Sequence, residues 1–370
     1  LEPTAWRLLQ HLALMKGPIG LPLLETVTGI GQEDLVRELG LLADQQLVLQ
    51  QCHDSGYLYG LRHPHQRKIL LQGLSTAQRQ EMHARIARAL GELGDEPGLS
   101  ELEERIHQTE EAGLHEEAIR LAALASQRSF RIGIPAQGIR HLQEGLRIAR
   151  QNSLRDGETD LLIHMARLHH AVNGYTEARR CMDAALSLLS PDNADPRLPE
   201  MLYLAFLFCF RADAYIDAQT YLNRLEAAVR VQGGAPSACR LALARSVMAL
   251  HRMAYDEAAR LAEEAISHLT PEAEPLLCAR TYEQASMVQS ALSHTDEALR
   301  HLWEAFHAFE REGSPLHMAA AYIDIGMIYQ TNLEQPARAR QYLFKALDIA
   351  RQGQAMVQVA FCLNNLGDTY

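Results

Sequence analysis

Aromatic residues and long apolar runs are both scarce in this sequence. Aromatic residues make up 6% of the 370 residues, and two of them are tryptophan. The longest apolar run, MLYLAFLFCF at 201–210, has about half the length that a membrane-spanning helix requires. Arg211 and Asp213 close it. We therefore predict a buried helix at this run and no contact with a membrane.

Cysteine is also scarce, and its positions argue against two kinds of site. The six cysteines are dispersed, and no two have the spacing of two to four residues that is typical of zinc sites. Their pattern does not indicate a disulfide framework either. We therefore expect reduced thiols, no bound metal and a cytoplasmic protein.

Basic residues are outnumbered, and the motifs of catalysis are missing. The chain has 35 Lys and Arg against 46 Asp and Glu, and its formal net charge of −11 argues against an extended nucleic-acid surface. It contains no Gly-rich phosphate loop with Lys-Ser/Thr, no His-Glu-x-x-His and no Gly-x-Ser-x-Gly. We expect no catalytic residues, no cofactor bound by this chain alone and no direct binding of nucleic acid.

What the sequence does contain is a repeat with a period of 40 residues. The segments YTEA, YIDA, YDEA and TDEA place an alanine at this interval, and the same count reaches Gly138 backwards. Counting forwards ends one residue before Ala339, which indicates a one-residue insertion in the turn TNLEQP. We call these positions the alanine column: Gly138, Ala178, Ala218, Ala258, Ala298 and Ala339.

A second column of small residues supports the same period. Its first five members lie twelve residues before the alanine column, and the last two follow once the insertion is counted. We call it the small column: Ser126, Ala166, Phe206, Ser246, Ser286, Gly326 and Gly367. Small side chains at a fixed interval indicate that helix backbones pack closely there. Phe206 is the exception, which predicts either a local opening of the array or a ring that fills a gap beside a smaller neighbour.

Pro- and Gly-rich breakers separate the repeats and predict six helix pairs. Their predicted bounds are 116–131/135–150, 158–173/175–190, 197–213/215–230, 237–253/255–269, 275–292/295–311 and 315–331/335–351.

The last two units resemble the tetratricopeptide repeat most closely. The matching residues are Tyr322, Ile325, Gly326 and Tyr329, followed by Leu366, Gly367 and Tyr370. That family has a usual period of about 34 residues, so the longer period implies longer helices or turns. The resemblance implies an α-solenoid over residues 96–370. The chain stops on LNNLGDTY, the pattern of a first helix without its partner, so we expect a last repeat that is truncated.

Residues 1–62 lack this period and predict a winged helix. Apolar stripes predict helices after Thr4, at LPLLETVTG and from Gln32 to Gln45, and alternation around Asp54-Ser55-Gly56 predicts a small β-hairpin. This stretch carries four basic and seven acidic residues, a net charge of 4 − 7 = −3, whereas a surface that binds phosphates needs positive charge. We expect a structural role here. The predicted fold class is all-α: a winged helix at 1–62, a helical connector at 63–95 and the solenoid at 96–370.

The whole arrangement resembles the region downstream of the nucleotide-binding domain in STAND-type signalling ATPases. This group includes large bacterial transcriptional activators such as the maltose-regulon activator. A departure from the family pattern lies at HPH, residues 63–65, where an acidic or aliphatic residue more usually follows the histidine. The matching positions are Arg62, His63, Arg67, Leu70, His83, Ala87, Ala89 and Leu90.

This resemblance implies a non-catalytic sensor arm of a bacterial, signal-responsive ATPase that regulates transcription. A nucleotide-binding domain upstream of Leu1 would bind ATP or ADP, and the winged helix would support its resting state. His63 and Arg62 would contact the nucleotide phosphate. The alternative for His63 is that it only caps or packs the start of its helix. Activation would produce a ligand-dependent homo-oligomer.

The repeats imply a groove that binds a protein partner or a small inducer. The first helices of a right-handed array line its concave side, which predicts contacts at Gln127, Arg131, Arg167, His170, Phe210, Arg211, His251, Met287 and Gln330. Arginine suits carboxylate or phosphate groups. Arg131, Arg211 and His251 have an alternative explanation. They lie in the last turn of their helices, where a cation interacts favourably with the helix dipole whether or not it binds a ligand. The alternative to the sensor arm is a scaffold that docks partner peptides in a protein with no ATPase domain.

Overall fold

The chain forms two compact units. The computed structural model describes residues 2–53, 56–92, 97–132, 134–189, 195–313, 315–352 and 356–369. Unit 1 comprises Leu1–Ser126 and Arg140–Leu161, and unit 2 comprises Gln127–Ile139 and Leu162–Tyr370.

Unit 1 begins with three helices and a small antiparallel sheet, as predicted. The strands lie in the order β1-β3-β2, and the hairpin pairs β2 with β3 from Val48↔Leu61 to His53↔Gly56. The strand β1 was not predicted, because two residues are too few to show an alternating pattern. The elements are α1 (Pro3–Leu14), β1 (Ile19–Gly20), α2 (Leu21–Thr28), α3 (Gln32–Asp44), β2 (Val48–His53), β3 (Gly56–Leu61), α4 (Gln66–Leu71), α5 (Thr76–Glu92) and α6 (Leu99–Glu111).

One hydrophobic core holds α1 to α5 together. Leu8, Leu24 and Leu35 from the first three helices are fully buried. Leu70 of α4 and Ile86 of α5 belong to the same cluster. A stretch of about 60 residues buries little apolar surface by itself, so the two connector helices enlarge its core.

Long side chains of α4 and α5 also cap the ends of α1 and α2. Arg67 Nη2 donates a hydrogen bond to the carbonyl of Met15. Arg85 Nη2 donates another to the carbonyl of Val27 at 2.6 Å. The last carbonyls of a helix have no partner within it, so these bonds stabilise both ends. Arg67, one of the positions shared with the STAND family, therefore has a packing role.

The repeat helices follow, and every predicted pair is confirmed. Each observed end lies within three residues of the prediction. The helices are α7 (His115–Arg131), α8 (Pro135–Gln151), α9 (Arg155–Ala171), α10 (Tyr175–Leu188), α11 (Leu198–Arg211), α12 (Tyr215–Gln232), α13 (Ala235–His251), α14 (Tyr255–Ser267), α15 (Pro275–Ala291), α16 (Thr295–Glu312), α17 (Pro315–Thr331), α18 (Pro336–Gln352) and α19 (Met356–Gly367).

The two columns of small residues meet inside the helix pairs. Ser246 Oγ of the small column donates a 2.9 Å hydrogen bond to the carbonyl of Ala258 in the alanine column. A Cβ atom added at Gly326 would lie 3.3 Å from the carbonyl oxygen of Ala339. The exception, Phe206, is fully buried, so its ring fills space within the array and does not open it.

The turn between the two helices of a repeat contains a left-handed residue. Asn173, Asp213, Met253 and Ser293 take φ values of 62°, 57°, 60° and 64° at intervals of 40 residues. The interval becomes 41 at Glu334, whose φ is 52°, in the turn where the sequence predicted the insertion. Asparagine and aspartate tolerate this conformation, whereas methionine does so only at a cost.

We expect that replacing Met253 with asparagine will stabilise the protein. In two other repeats the tyrosine that opens the second helix donates to the left-handed residue, as in Tyr215 Oη to Asp213 Oδ1 at 2.6 Å. Tyr255 has no such bond with a described residue, because the side chain of Met253 has no oxygen atom. M253N should raise the free energy of unfolding by about 1 kcal/mol. Urea titration measures the difference. The control M253L keeps the strained backbone and adds no hydrogen-bond acceptor, so its unfolding midpoint should match that of the wild type. Equal unfolding midpoints for all three proteins would contradict this explanation.

Candidate functional site

The first helices of the repeats in unit 2 carry a polar and aromatic surface that we call the inner face. It consists of residues on α9, α11, α13, α15 and α17 whose spacing places them on one side of each helix. Its members are Arg167, His170, Glu200, Tyr203, Phe210, Arg211, Arg240, His251, Arg280, Glu283, Met287, His317, Asp324 and Gln330.

Charges on non-adjacent helices act on one another across the inner face. Burial lowers the pKa of His170 on α9 to about 4, and the positive charges of Arg280 on α15 and Arg211 on α11 lower it further. The same pKa is affected by His317 on α17. Direct contacts join these helices in pairs: His170 of α9 packs against Phe208 of α11, and Arg280 Nη2 of α15 lies 3.3 Å from His317 Nε2 of α17.

A chain of ion pairs crosses consecutive repeats along this face. Arg167 pairs with Glu200 of the next repeat. Arg240 Nη2 lies 4.0 Å from the second oxygen of Glu200 and 3.3 Å from Glu274 Oε2. The predicted contact residue Arg167 therefore already has a carboxylate partner.

Two of the predicted contact residues, Phe210 and His251, come together in an aromatic cluster. Their ring centroids are 5.5 Å apart. Tyr215, which opens α12, lies against both rings, with centroid distances of 5.5 Å to Phe210 and 4.2 Å to His251. His170 instead packs against Phe208, at 5.1 Å. The cluster joins two repeats and places an apolar surface beside Arg211.

A second cluster lies on α15 and α17 and was not predicted. Arg280 Nη1 donates to Glu283 Oε2 at 2.8 Å, and its Nη2 lies 3.3 Å from His317 Nε2. The His317 ring stacks on Phe309 with centroids 4.9 Å apart, and its Nδ1 lies 3.2 Å from Glu312 Oε2. This network holds the guanidinium of Arg280 in one position.

Two opposite charges on the inner face have no ion-pair partner among the described residues. They are Arg211 at the end of α11 and Asp324 on α17. Burial and the charge of Glu283 raise the pKa of Asp324 above its usual range, while Arg280 and Arg211 act in the opposite direction. The charge of Arg211 thus affects the pKa of Asp324, although the two side chains form no salt bridge with each other.

The structure also describes the other predicted contact residues. Gln127 and Arg131 are exposed on α7, and Arg131 forms no ion pair with a described residue. Met287 is exposed on α15. Gln330 Nε2 donates to the carbonyl of Asp368 at 3.2 Å, which ties α17 to the end of the chain.

The sequence prediction missed the inner-face residues that lie in the N-terminal halves of their helices. Tyr203, Arg280 and Glu283 precede the small column by three or six residues, and helical periodicity puts them on the same side as the positions that follow it. Extending the predicted positions one and two turns backwards would have found all three.

In unit 1, the side chains of Arg62 and His63 are both exposed. The ring of His63 stacks on that of His65 at 5.5 Å, and Gln66 Oε1 accepts a 3.3 Å hydrogen bond from the His63 backbone N–H. This bond closes the turn before α4, whose N-cap residue His65 makes no side-chain capping hydrogen bond.

The helix that a winged-helix protein would present to DNA carries little free positive charge. The guanidinium of Arg37, the one basic residue of α3, lies 2.5 Å from Asp34 Oδ1. Over the part of the chain that the structure describes, no helix is long and apolar enough to cross a membrane. No cluster of three potential metal ligands occurs in those same residues.

Comparison with known proteins shows the fold. No protein-family model and no curated protein matches the sequence. A Signal Transduction ATPase with Numerous Domains (STAND) protein with a tetratricopeptide repeat sensor from Pyrococcus horikoshii is similar over 100% of this chain, at 14% identity and a TM-score of 0.62. The similarity covers 54% of that protein, so this chain spans about half its length.

Two further solved structures are similar to a lower degree. One is a Rap protein complexed with competence and sporulation factor, at 11% identity and a TM-score of 0.47, over 82% of this chain and 94% of that one. The other is a tetratricopeptide repeat protein from Parabacteroides merdae, at 15% identity and a TM-score of 0.41, over 72% and 98%. The helix pairs and the similarity to the STAND structure with a TM-score of 0.62 define the class of this chain as an all-α solenoid of tetratricopeptide-like repeats.

Proposed function

We propose that this chain is the non-catalytic sensor arm of a STAND-type ATPase that regulates transcription. In this proposal, the N-terminal helices and sheet form a winged helix that keeps the nucleotide-binding domain at rest. The inner face of the repeats binds an inducer or a protein partner. A ligand that binds the active state more tightly than the resting state then shifts the population towards an oligomer.

The observation that carries this proposal is the extent of the similarity. The STAND structure is similar over the whole of this chain, including the helices and sheet before the repeats. A protein that shared only stacked repeats would be similar over the repeats alone. Among the positions in unit 1 that match the STAND pattern, Leu70 belongs to the core of α1 to α5, and buried His83 Nδ1 lies 2.6 Å from Gln108 Oε1.

The inner face supports a role in ligand binding. Arg211 has no ion-pair partner among the described residues, and the preceding Phe210 belongs to the aromatic cluster with Tyr215 and His251. Burying an unpaired charge is costly, so proteins leave charges without partners mainly where solvent or a ligand satisfies them. A mixed surface of rings and charges suits a ligand with both apolar and ionic groups.

Arg62 and His63 are proposed to contact the phosphate of the nucleotide in the complete protein. Both side chains are exposed, and the described contact of the His63 ring is its stacking on His65. Their side chains are therefore available to a neighbouring domain. In the complete gene product, H63A should weaken ADP binding, and H65A should leave it unchanged.

The experiment that tests the proposal measures nucleotide in the complete gene product. We expect ADP or ATP to co-purify with that protein, and none to co-purify with the 370-residue chain handled in the same way. The 370-residue chain should also show no ATP turnover.

The alternative function is a repeat scaffold that docks partner peptides in a protein without an ATPase domain. The inner face alone would serve such a scaffold equally well. A complete gene product that carries no nucleotide and hydrolyses no ATP, while this chain still binds peptides, would decide for the scaffold.

A further inference from the structure

Three aromatic rings, one each from α16, α17 and α18, lie together in unit 2. The ring centroid of Trp303 is 6.0 Å from that of Tyr322 and 6.1 Å from that of Tyr342. The two tyrosine centroids are also 6.1 Å apart, with 25° between the ring planes, and the indole stands at 86° and 68° to them. All three residues are partly exposed. We call these three rings the aromatic cage.

Packing fixes the positions of these rings. All three pack against one hydrophobic cluster of α16 and α17. The ring of Tyr322 also contacts Phe306, with centroids 4.6 Å apart, and the ring of Tyr342 stacks on Tyr329 at 5.2 Å. Rings that are held in this way are already ordered before a ligand binds, so binding does not have to pay for their immobilisation.

The cage already holds a cation of the same chain. Lys345 Nζ lies over two of the rings, 5.2 Å from the centroid of Tyr342 and 5.8 Å from that of Tyr322. Lys345 is exposed and forms no ion pair with a described residue. Its ammonium group is therefore held by ring faces, which attract positive charge. Because an exposed lysine side chain is long and flexible, this ammonium group leaves the rings at little cost.

A second cation on the same surface is also held by a ring. The guanidinium carbon of Arg338 lies 5.8 Å from the ring centroid of Tyr329, which stacks on the cage. Arg338 has no ion pair with a described residue either. Burial and the negative charge of Glu310 on α16 raise the pKa of Tyr322. Ring faces thus hold two separate cations here, and a nearby carboxylate adds negative potential at the cage.

From this geometry we propose that the aromatic cage binds a quaternary ammonium group, which takes the place of the Lys345 ammonium group over Tyr322 and Tyr342. The ammonium group of lysine is compact and strongly hydrated, whereas a trimethylated nitrogen is larger and gives up less hydration when it contacts rings. Aromatic cages recognise choline and methylated lysine in this way. No ring of the cage belongs to the inner face, so this site is additional to the proposed function.

The fluorescence of Trp303 measures binding at the cage directly. The chain has two tryptophans, so W6F leaves Trp303 as the sole reporter. The W6F protein is titrated with choline and with the neutral alcohol of the same shape, in which a tert-butyl group replaces the trimethylammonium group. We expect a saturable change with choline and an affinity about tenfold or more lower for the neutral alcohol. A peptide that contains trimethyllysine is titrated in the same way, and whichever probe binds more tightly identifies the source of the ammonium group.

Variants in the W6F protein assign the binding to the cage. K345M removes the cation that competes for the rings, so its affinity for choline should rise about threefold or more. K68M, at an exposed lysine on α4, is the matched control and should change nothing. Y342L should lower the affinity about tenfold, whereas Y342F keeps the ring and should bind like the W6F parent. Y57L, at an exposed tyrosine on β3, is the control for the loss of a ring.

The outcomes decide for or against the cage independently of the sensor arm. Equal affinities for choline and the neutral alcohol, or no response to any probe, would overturn this inference. A K345M protein that binds choline no more tightly than its parent would overturn it as well. These two comparisons do not require Y342L to fold. Nucleotide bound to the complete gene product bears on the sensor arm alone, so either proposal can fail without the other.

Discussion

Replacing Ala258 with leucine is expected to lower the free energy of unfolding by roughly 1–3 kcal/mol. Ala258 is fully buried in the alanine column, and its carbonyl accepts the hydrogen bond from Ser246 Oγ across the helix pair. Three added carbon atoms have no room between backbones that approach this closely. They must push α13 and α14 apart, which also lengthens the hydrogen bond.

The neighbouring residue supplies the control for this prediction. Glu257 is exposed on the same turn of α14, so E257L should change the free energy of unfolding by no more than about 0.5 kcal/mol. Urea titration of the two variants and the wild type measures the difference directly. Equal unfolding midpoints for A258L and E257L would mean that the alanine column does not mark the contact between the helices.

The period of the small residues is the reason that the helices could be predicted so closely. Glycine, alanine and serine recur where two backbones touch, so the sequence itself records which side of each helix is packed. The left-handed turns at Asn173 and Asp213 repeat at the same interval. These features depend on contacts within one repeat, and a local pattern captures them.

The charges of the inner face could be placed only in part, because their partners belong to other repeats. Arg167 was identified as a contact residue, but its pairing with Glu200 depends on how one repeat rotates against the next. The contact of Arg280 with His317 also joins two repeats. The rotation of one repeat against the next has no signature in the spacing of residues. A two-residue strand such as β1 could not be predicted for a simpler reason: it is too short to show an alternating pattern.

Acidification from pH 7.5 to pH 5 is expected to destabilise the protein through histidines that fold in the neutral form. Burial is the main reason that the pKa of His107 in unit 1 and of His170 in unit 2 is lowered to about 4. In the unfolded chain the pKa of a histidine is about 6.5, so the unfolded state takes up protons first as the pH falls. The stability that these histidines contribute is present above pH 6.5 and is lost between pH 6.5 and pH 4.

The expected loss at pH 5 is roughly 2 kcal/mol for each of these two histidines. The raised pKa of Asp324 acts in the opposite direction, because its native carboxyl takes up a proton more readily than an unfolded one. A variant separates the contributions: H170Q cannot gain a charge, so its free energy of unfolding should fall by about 2 kcal/mol less over this pH range. H307Q, at an exposed position on α16, should retain the wild-type pH dependence. An equal loss of free energy of unfolding for H170Q and the wild type would contradict this prediction. It would mean that His170 takes up its proton as readily in the folded protein as in the unfolded chain, in spite of the packing of its ring against Phe208.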